Sequence, residues 1–350
     1  MKTLLVLNHA PDYRESFLRE LSKKVELTVV AQPCEQDRLT PPGERGNYKY
    51  VDIPSKRFAG IQWQKAINKH IHFNDYDVVC CNLNPRQIPW ILHFLKNKQL
   101  QQKWIWWGPF IGQSNARPIR MLKNKVIAKA AACLTYSEPI AGQLTQEHGV
   151  YALSFNNTEI MAGEFVDGSF DKHPEIRLLF VGRWQPRKRL ERLIELANRR
   201  EDVHVRLIGP GMENLAVYRS LIDSGRCSII GRAVGKELIP HFHWADLVAN
   251  PGHAGLLVMN AARHGKGIVI DSESKHAPEY WLAKEAGQPF IPFADLSAVD
   301  HFIDSINNDR SLLTKWAAQL QNIAREKYTV EHMAEVHLQV FNHILKSKKE

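Results

Sequence analysis

Four cationic side chains follow an apolar run in the second half of the chain. The run spans residues 178–181, and the cations are Arg183, Arg187, Lys188 and Arg189. Guanidinium and ammonium groups gathered in one loop suit an anion, because both donate charge-assisted hydrogen bonds to its oxygens. The sequence therefore predicts an anion site in this loop, with a phosphate or diphosphate as the preferred ligand.

The position of this loop follows from the elements around it. Three apolar runs, at residues 178–181, 203–208 and 247–249, each end in Gly or Asn and precede a helical pattern. Short buried runs of this kind are typical of parallel strands joined by crossover helices. The loops after such strands lie at the carboxyl edge of the sheet, where open α/β proteins bind ligands.

A second loop at this edge offers main-chain donors. In ADLVANPGHAGLLVMNAARHG, the amides of Gly255, Leu256 and Leu257 open a predicted helix, and Gly252 and Gly255 permit close approach of the backbone to a ligand. Cations and helix N-terminal amides together can bind a diphosphate without a metal ion. We therefore predict no metal site and no cofactor.

These segments resemble a known family. VGRWQPRKRLERLI resembles the VGR…KG…LI segment of the retaining GT-B glycosyltransferases of family 4, and IGPG, IIGRA, ADLVANPG and GLLVMNAARHGKGIV follow in a similar order. The resemblance is clear from about residue 175 to about residue 345 and weaker before that. It implies an α/β GT-B fold, in which two Rossmann-like domains face each other across a cleft. It also implies that Arg183 and Lys188 grip the diphosphate of a nucleotide-sugar donor.

The chain of 350 residues is long enough for two domains. We predict an acceptor-binding Rossmann-like domain over residues 1–160 and a nucleotide-sugar-binding one over 175–328, with a polar linker over 156–174. Residues 329–350 are predicted to form a helix that crosses back towards the N-terminal domain, as the resemblance implies.

One signature of the family is missing. The family carries two glutamates separated by seven residues, and the aligned positions hold Gly252 and Asn260. Asn260 can still hydrogen-bond to a ribose, whereas Gly252 cannot replace an acid. A polysaccharide-building subgroup also lacks the first glutamate, and the segment HAPEYWLA resembles its conserved motif, which makes Glu279 a candidate for contact with the donor sugar.

Two further residues are predicted to lie on the donor side, and for each an alternative location remains open. His253 stands beside the proposed phosphate loop, where it either lines the site or lies in an exposed turn. Arg232 follows the predicted strand of IIGRA. In the resembled fold it would lie near the base or ribose, and the alternative is a surface arginine.

The first half offers residues for the acceptor side. Arg14 begins the first helix in YRESFLREL, which resembles the start of many bacterial sugar transferases, so it either touches acceptor or phosphate or is a surface charge. The strand WIWWG ends in Trp107 and Gly108. Its rings either line a sugar-binding face or pack in the core.

A metal motif is considered and rejected. Asp75 and Asp77 match the Asp-x-Asp pattern of another glycosyltransferase fold, but they precede a strand, whereas ligand sites follow a strand's carboxyl end. We interpret them as turn residues. The five cysteines show no metal-ligand spacing and no disulfide framework, which favours a reducing cytoplasm.

The net charge of +9 suggests an anionic partner. No basic motif with interleaved aromatics predicts nucleic acid binding. Residues 115–129 form an amphipathic pattern with five cations and no acid, which suits an anionic membrane surface, with a solvated helix as the alternative. We predict a cytoplasmic protein, with attachment to the inner face of the cell membrane left open.

The resemblance thus implies a retaining, metal-independent glycosyltransferase that moves a sugar from a nucleotide-diphosphate sugar to a saccharide or lipid-linked acceptor. The subgroup resemblance implies synthesis of bacterial surface polysaccharide or lipopolysaccharide. Two alternatives stay open: a non-catalytic GT-B protein that binds nucleotide-sugar or acts as a scaffold, and a nucleotide-sugar epimerase of the same fold.

Overall fold

A computed structural model of the chain describes residues 1–37, 39–58, 61–64, 67, 71–110, 117–171, 173–223 and 225–347. The chain divides into two units. The first unit contains Met1–Glu159 together with the segment from Val330 onward, and the second unit is Ile160–Thr329.

Each unit is built around one parallel sheet flanked by helices. The strands of the first unit are β1 (Lys2–His9), β2 (Glu26–Gln32), β3 (Lys49–Asp52), β4 (Ser55–Phe58), β5 (Ile61–Gln64), β6 (Val78–Asn82), β7 (Trp104–Gly108), β8 (Ala132–Thr135) and β9 (Ala152–Ser154). The strands of the second unit are β10 (Ile176–Val181), β11 (Val203–Ile208), β12 (Cys227–Ile230), β13 (Leu247–Asn250), β14 (Gly267–Asp271) and β15 (Phe290–Ile291).

Helices connect the strands. They are α1 (Asp12–Ser22), α2 (Ile88–Lys96), α3 (Lys98–Gln101), α4 (Arg117–Ile127), α5 (Glu138–His148), α6 (Glu191–Arg199), α7 (Arg219–Ile222), α8 (Ile239–Trp244), α9 (Leu257–Arg263), α10 (Tyr280–Glu285), α11 (Leu296–Asn308), α12 (Ser311–Lys327) and α13 (Val330–Ser347). Short 3₁₀ turns lie at Cys34–Asp37, Phe73–Asp75, Ala162–Glu164, Pro186–Lys188, Met212–Tyr218 and Gly235–Leu238.

Both sheets have the strand order of a doubly wound fold. The first runs β3-β2-β1-β6-β7-β8-β9 and the second β12-β11-β10-β13-β14-β15, with every neighbouring pair parallel. In each sheet the chain starts in the middle, proceeds to one edge and returns to the other side. Such a reversal leaves a crevice at the carboxyl ends of the two central strands, β1 and β6 in one unit and β10 and β13 in the other.

The predicted strands are present. The three apolar runs of the second half lie in β10, β11 and β13, and most of their apolar side chains are buried in the core of the second unit, as expected for a sheet covered on two sides. The first two residues of the basic helix predicted over 115–129 lie outside the described residues.

The aromatic strand β7 belongs to the core of the first unit. Trp104, Trp106 and Trp107 are all buried, and the rings of Trp104 and Trp106 pack at 5.5 and 5.0 Å from that of Phe94. Gly108 ends the strand with φ of 145°, a conformation that side chains disfavour. The indoles therefore contribute mainly to stability.

The segment predicted as a polar linker is packed, although its composition is polar. Asn156, Asn157 and Thr158 are buried in the described structure. The amide of Val166 donates to the carbonyl of Arg263 at 2.8 Å, and Gly168 lies so close to Gly265 that a Cβ on it would come within 2.0 Å of the Gly265 oxygen. Residues 166–168 are thus part of the second unit rather than a spacer.

The C-terminal helix α13 packs on α1 within the first unit. Its buried face is a stripe at helical spacing that includes Met333, His337 and Phe341. Among the described helices, none has the length and apolar character needed to cross a bilayer.

Candidate functional site

The loops after β10 and β11 are held together by hydrogen bonds between their main chains. The amide of Gly182 donates to the carbonyl of Ile208 at 2.8 Å, and that of Trp184 donates to the carbonyl of Pro210 at 3.0 Å. A Cβ at Gly209, whose φ is 145°, would lie 2.1 Å from the Gly182 oxygen. The backbone that carries Arg183 therefore leaves the sheet in a fixed direction.

Arg183 itself is exposed. Within the described ranges it makes no ion pair and donates no hydrogen bond, so no carboxylate there neutralises its charge. A cation held on a fixed backbone and left uncompensated is well placed to meet an anionic ligand.

Lys188 is more enclosed than Arg183. It lies in the 3₁₀ turn Pro186–Lys188, and its Nζ donates to the carbonyl of His253 at 2.6 Å. Burial and, to a smaller extent, the charge of Arg187 lower the pKa of Lys188 to about 8, against the opposing charge of Glu279. The lysine thus joins the loop after β10 to the loop after β13.

Gly252 lies directly against this turn. A Cβ on Gly252 would sit 2.4 Å from the carbonyl oxygen of Arg187 and 2.7 Å from the carbonyl carbon of Lys188. The next amide, of His253, donates to that same Arg187 oxygen at 2.9 Å. The position at which the resembled family carries its first glutamate is therefore closed to any side chain by neighbouring backbone.

Two histidines connect the loops after β13 and β14. The ring of His253 donates from Nδ1 to the carbonyl of Lys275 at 2.6 Å. The ring of His276 accepts from the amide of Ala254 at 3.1 Å and contacts the carbonyl of Asp271 at 2.9 Å through Nε2. Burial lowers the pKa of both rings, so they remain neutral near pH 7.

Glu279 completes this group. It immediately precedes α10, is 7 % exposed, and its charge raises the pKa of Lys188. The structure thus brings Lys188, Gly252, His253 and Glu279 together at the carboxyl ends of β10, β13 and β14. His276 was not predicted to belong to the site, although it stands three residues before Glu279 in the segment HAPEYWLA.

The remaining donor-side residues surround this group less closely. Gly255 and Leu256 precede α9, Leu257 begins it, and their amides donate no hydrogen bond to described residues, as in the first turn of most helices. Asn260 is half-buried on α9, and its Nδ2 lies 3.4 Å from the carbonyl of Leu256. Arg232 is exposed after β12 at the sheet edge, and no described contact links it to Lys188.

Arg14 and Trp107, predicted separately, contact each other in the first unit. Arg14 is 8 % exposed rather than on the surface, and its guanidinium lies 4.9 Å from the centre of the Trp107 ring. Its Nη2 donates to the Tyr136 hydroxyl at 2.9 Å, and its Nη1 donates to Asn157. Gly108 follows Trp107 at the end of β7.

A buried histidine on α13 joins this cluster. The Nε1–H of Trp107 donates to Nε2 of His337 at 2.9 Å, while Nδ1 of His337 donates to the carbonyl of Met333 at 2.7 Å. The ring is fully buried, and burial lowers its pKa to about 3. His337 was not predicted from sequence. Its burial is indicated only by its position in an apolar stripe, four residues after Met333.

Asp77, the second acid of the pair before β6, has a structural role. The Oδ2 of Asp77 accepts a hydrogen bond from the amide of Lys2 at 2.8 Å, at the start of the sheet. Over the described ranges, no three His, Cys, Asp or Glu side chains are grouped as metal ligands would be.

In sequence, the chain matches no protein-family model and none of the curated proteins with which it was compared. In structure, it is similar over its whole length to several solved glycosyltransferases. Sucrose-phosphate synthase from Thermosynechococcus elongatus superposes with a TM-score of 0.74 at 13 % identity, over 99 % of this chain and all of that one. HepE from Anabaena, solved in complex with UDP, gives 0.70 at 13 % identity, over 98 % of this chain and all of that one.

A third structure is that of WaaG, described as a glycosyltransferase involved in lipopolysaccharide biosynthesis. It gives a TM-score of 0.61 at 13 % identity, over 97 % of this chain and 99 % of that one. Identities this low establish the fold alone. The predicted fold class is confirmed: the chain has the GT-B fold, with two Rossmann-like domains.

Proposed function

We propose that the protein is a glycosyltransferase that takes a sugar from a nucleoside-diphosphate sugar. The observation that carries this proposal is the junction of the loops after β10 and β13, where Lys188 is bonded to the carbonyl of His253 and Arg183 is exposed nearby in sequence. This junction lies at the reversal point of the sheet, where doubly wound folds bind nucleotides.

The roles proposed for the residues are those that the family resemblance implies, and their charge and position support them. Arg183 and Lys188 bind the diphosphate, and their charge stabilises it as it leaves. Glu279, beside Lys188, contacts the donor sugar; Asn260 hydrogen-bonds to the ribose. Arg232 contacts the base or ribose, and His253 lines the phosphate loop.

The proposed transfer retains the configuration of the sugar and uses neither a metal ion nor a protein nucleophile. The acceptor hydroxyl attacks the anomeric carbon from the face that the diphosphate leaves. The bond from that carbon to the phosphate oxygen breaks, and the departing oxygen takes the hydroxyl proton. The products are the glycoside and the nucleoside diphosphate, so atoms and charge balance.

UDP is the first nucleotide to test, because HepE was solved with UDP and with UDP-glucose. The acceptor is proposed to be a saccharide or lipid-linked saccharide of a bacterial surface polysaccharide or lipopolysaccharide, a role supported by the likeness to WaaG. Arg14, Trp107 and Gly108 belong to the unit proposed to bind it. Their burial favours support of an acceptor site over direct contact.

Attachment to the cytoplasmic face of an anionic membrane is proposed through α4. This helix carries cations without acids and exposes two apolar side chains, Ile119 and Met121, the latter 63 % exposed. Apolar side chains beside cations suit the boundary between lipid headgroups and acyl chains.

The test of the donor site is thermal unfolding in the presence of UDP, GDP, dTDP, CMP or ADP. A ligand that binds the folded state raises the melting temperature by mass action. One diphosphate is expected to raise it in the parent protein and to lose the effect in Arg183→Ala and Lys188→Ala. Arg219→Ala, which removes an exposed arginine of the same unit, is the matched control.

Because no side chain fits at Gly252, where the resembled family carries a glutamate, a second function is considered. In it the protein is a GT-B protein that binds nucleotide-sugar but does not transfer the sugar. Nucleotide binding with no sugar release or transfer from any bound donor would support it. Release of free nucleotide from a bound nucleotide-sugar without any acceptor would instead support an epimerase. Absence of a shift with every nucleotide would contradict the proposed donor site.

A further inference from the structure

A pocket of about 420 Å³ lies in the first unit, apart from the Arg14 cluster. It is bounded by the 3₁₀ turn Cys34–Asp37, the end of β3 and the hairpin of β4 and β5. It is lined by the polar residues Gln36, Asp52, Ser55 and Lys56 together with Ile53, Pro54 and Trp63. A volume of this size is in the range of small-molecule sites, which span about 300–1,000 Å³.

The hairpin has two chemically different faces. Lys56 pairs with Trp63 and Phe58 pairs with Ile61, so these four side chains share one face. That face is open: Trp63 is 46 % exposed and Phe58 is 83 % exposed. Phe58 is the diagonal neighbour of Trp63, and such neighbours are about 7–8 Å apart.

The opposite face holds the hairpin in place. Ser55 donates to Gln32 at 2.7 Å, and Gln64 donates to the carbonyl of Ile53 at 2.9 Å. Arg57 binds both carboxylate oxygens of Asp37 at 2.6 and 2.7 Å. The outward aromatics are therefore carried on a fixed platform, which lowers the entropic cost of binding a ligand.

The lining combines a flat aromatic surface with polar groups. A sugar ring has an apolar C–H face and a rim of hydroxyl groups. The Trp63 indole offers a flat apolar surface to such a face, while Asp52 and Gln36 offer hydrogen-bond acceptors and a donor to the rim. The pocket lining holds one carboxylate, of Asp52, and one ammonium group, of Lys56, so its charges offset each other and suit a neutral ligand such as a sugar.

We propose that this pocket binds a saccharide chain, with one sugar ring stacked on Trp63, its hydroxyls bonded to Asp52 and Gln36, and the next ring on Phe58. The choice of a saccharide rests on the proposed function, since a glycosyltransferase has to hold its acceptor. The site would hold units of the acceptor that do not themselves react.

The test uses the full chain and a set of trisaccharides of glucose, mannose, galactose or N-acetylglucosamine, with binding measured by saturation-transfer NMR and calorimetry. At least one trisaccharide is expected to bind at millimolar concentration. Trp63→Ala is expected to weaken it at least tenfold, Asp52→Asn several-fold, and Trp63→Phe less than Trp63→Ala. Val217→Ala, at an exposed apolar position of the second unit, should bind like the parent.

The outcomes separate this site from the donor site. If no trisaccharide binds although UDP raises the melting temperature, the saccharide pocket is wrong and the proposed function stands. If a trisaccharide binds through Trp63 but no nucleotide does, the pocket stands and the proposed function fails. If phosphatidylglycerol vesicles bind the parent but neither Trp63→Ala nor Phe58→Ala, and sugars do not compete, the face is a lipid surface and the saccharide proposal is overturned.

Discussion

The ammonium group of Lys188 lies half-buried against the carbonyl of His253, and its pKa is lowered to about 8. A diphosphate is attracted by the protonated form. Affinity for the diphosphate is therefore expected to fall as the pH rises above about 8, by up to about tenfold per pH unit. Calorimetric titration between pH 7 and 9.5 measures this slope.

The control for this slope is Lys188→Arg. Arginine keeps its charge far above pH 9.5, so the variant should bind with an affinity that is nearly independent of pH over the same range. A slope that persists unchanged in the variant would assign the titration to another group.

A separate prediction concerns the stability of a variant at Gly252. Its Cβ position lies 2.4 Å from the Arg187 oxygen, so Gly252→Ala has to displace the turn that carries Lys188. We expect a loss of about 1–3 kcal/mol in the free energy of unfolding, together with weaker nucleotide binding. Gly142→Ala is the control, because a Cβ there meets nothing within 4 Å and a helical alanine should stabilise by about 0.5–1 kcal/mol. Equal stabilities of the two variants would contradict the close contact.

The clustered residues of the second unit were predictable from sequence, whereas the contact between Trp107 and His337 within the first unit was not. Lys188, His253 and Glu279 stand in loops directly after apolar runs, so their position at one sheet edge follows from the strand pattern. His337 contacts Trp107 across 230 residues of sequence, and no local pattern encodes such a contact. The closed position at Gly252 likewise depends on a loop 64 or 65 residues earlier.

At the scale of elements, strands buried on both faces were the easiest to predict. β11 has the predicted bounds of 203–208, because Val203, Val205, Leu207 and Ile208 are buried in a parallel strand covered by helices. The hairpin of β4 and β5 was not predicted. Its strands are four residues each, and polar contacts to Gln32 and Asp37, rather than an apolar face, attach it to the unit.

The helix α13 makes the first unit sensitive to acid. His337 is neutral in the folded chain down to about pH 3, whereas in the unfolded chain it takes up a proton below about pH 6.5. Protons therefore favour unfolding between these values, and stability should fall with decreasing pH by up to about 1.4 kcal/mol per unit.

The variant His337→Gln keeps an acceptor for the Trp107 indole but does not titrate. Urea unfolding at pH 7, 6 and 5 should show a shallower loss of stability than in the parent. His301→Gln, which removes an exposed histidine of the second unit, should retain the parent's slope. If His337→Gln also retains it, His337 is not the group responsible.

At the scale of the whole molecule, the two units differ in how the chain forms them. The second is continuous, whereas the first needs α13, whose buried residues include Met333, His337, Val340 and Phe341. A chain that stops after Thr329 should lose hydrogen-exchange protection in β1 and β7 and keep it in β10 and β13. Retained protection in β1 and β7 would show that α13 is dispensable for the first unit.

The overall fold was predictable because the second half of the chain contains several motifs that indicate its type of sheet. Four segments in order over the second unit fixed the type of sheet, and the first unit repeats the same strand order with less regular loops. The packing of residues 166–168 could not be predicted. A glycine in a polar segment is typical of a linker, and the close contact of Gly168 with Gly265 depends on the tertiary structure.

The division of the first unit between two distant segments also has a consequence during synthesis. Residues Met1–Glu159 leave the ribosome well before α13 does, and Ile160–Thr329 is made in between. At 5–20 residues per second this interval lasts roughly 10–30 s. Throughout it the surface of α1 that α13 later covers, and the indole nitrogen of Trp107 that His337 later meets, have no partner from α13. The second unit can therefore finish folding first, and the nascent first unit is the part of this protein most in need of a chaperone.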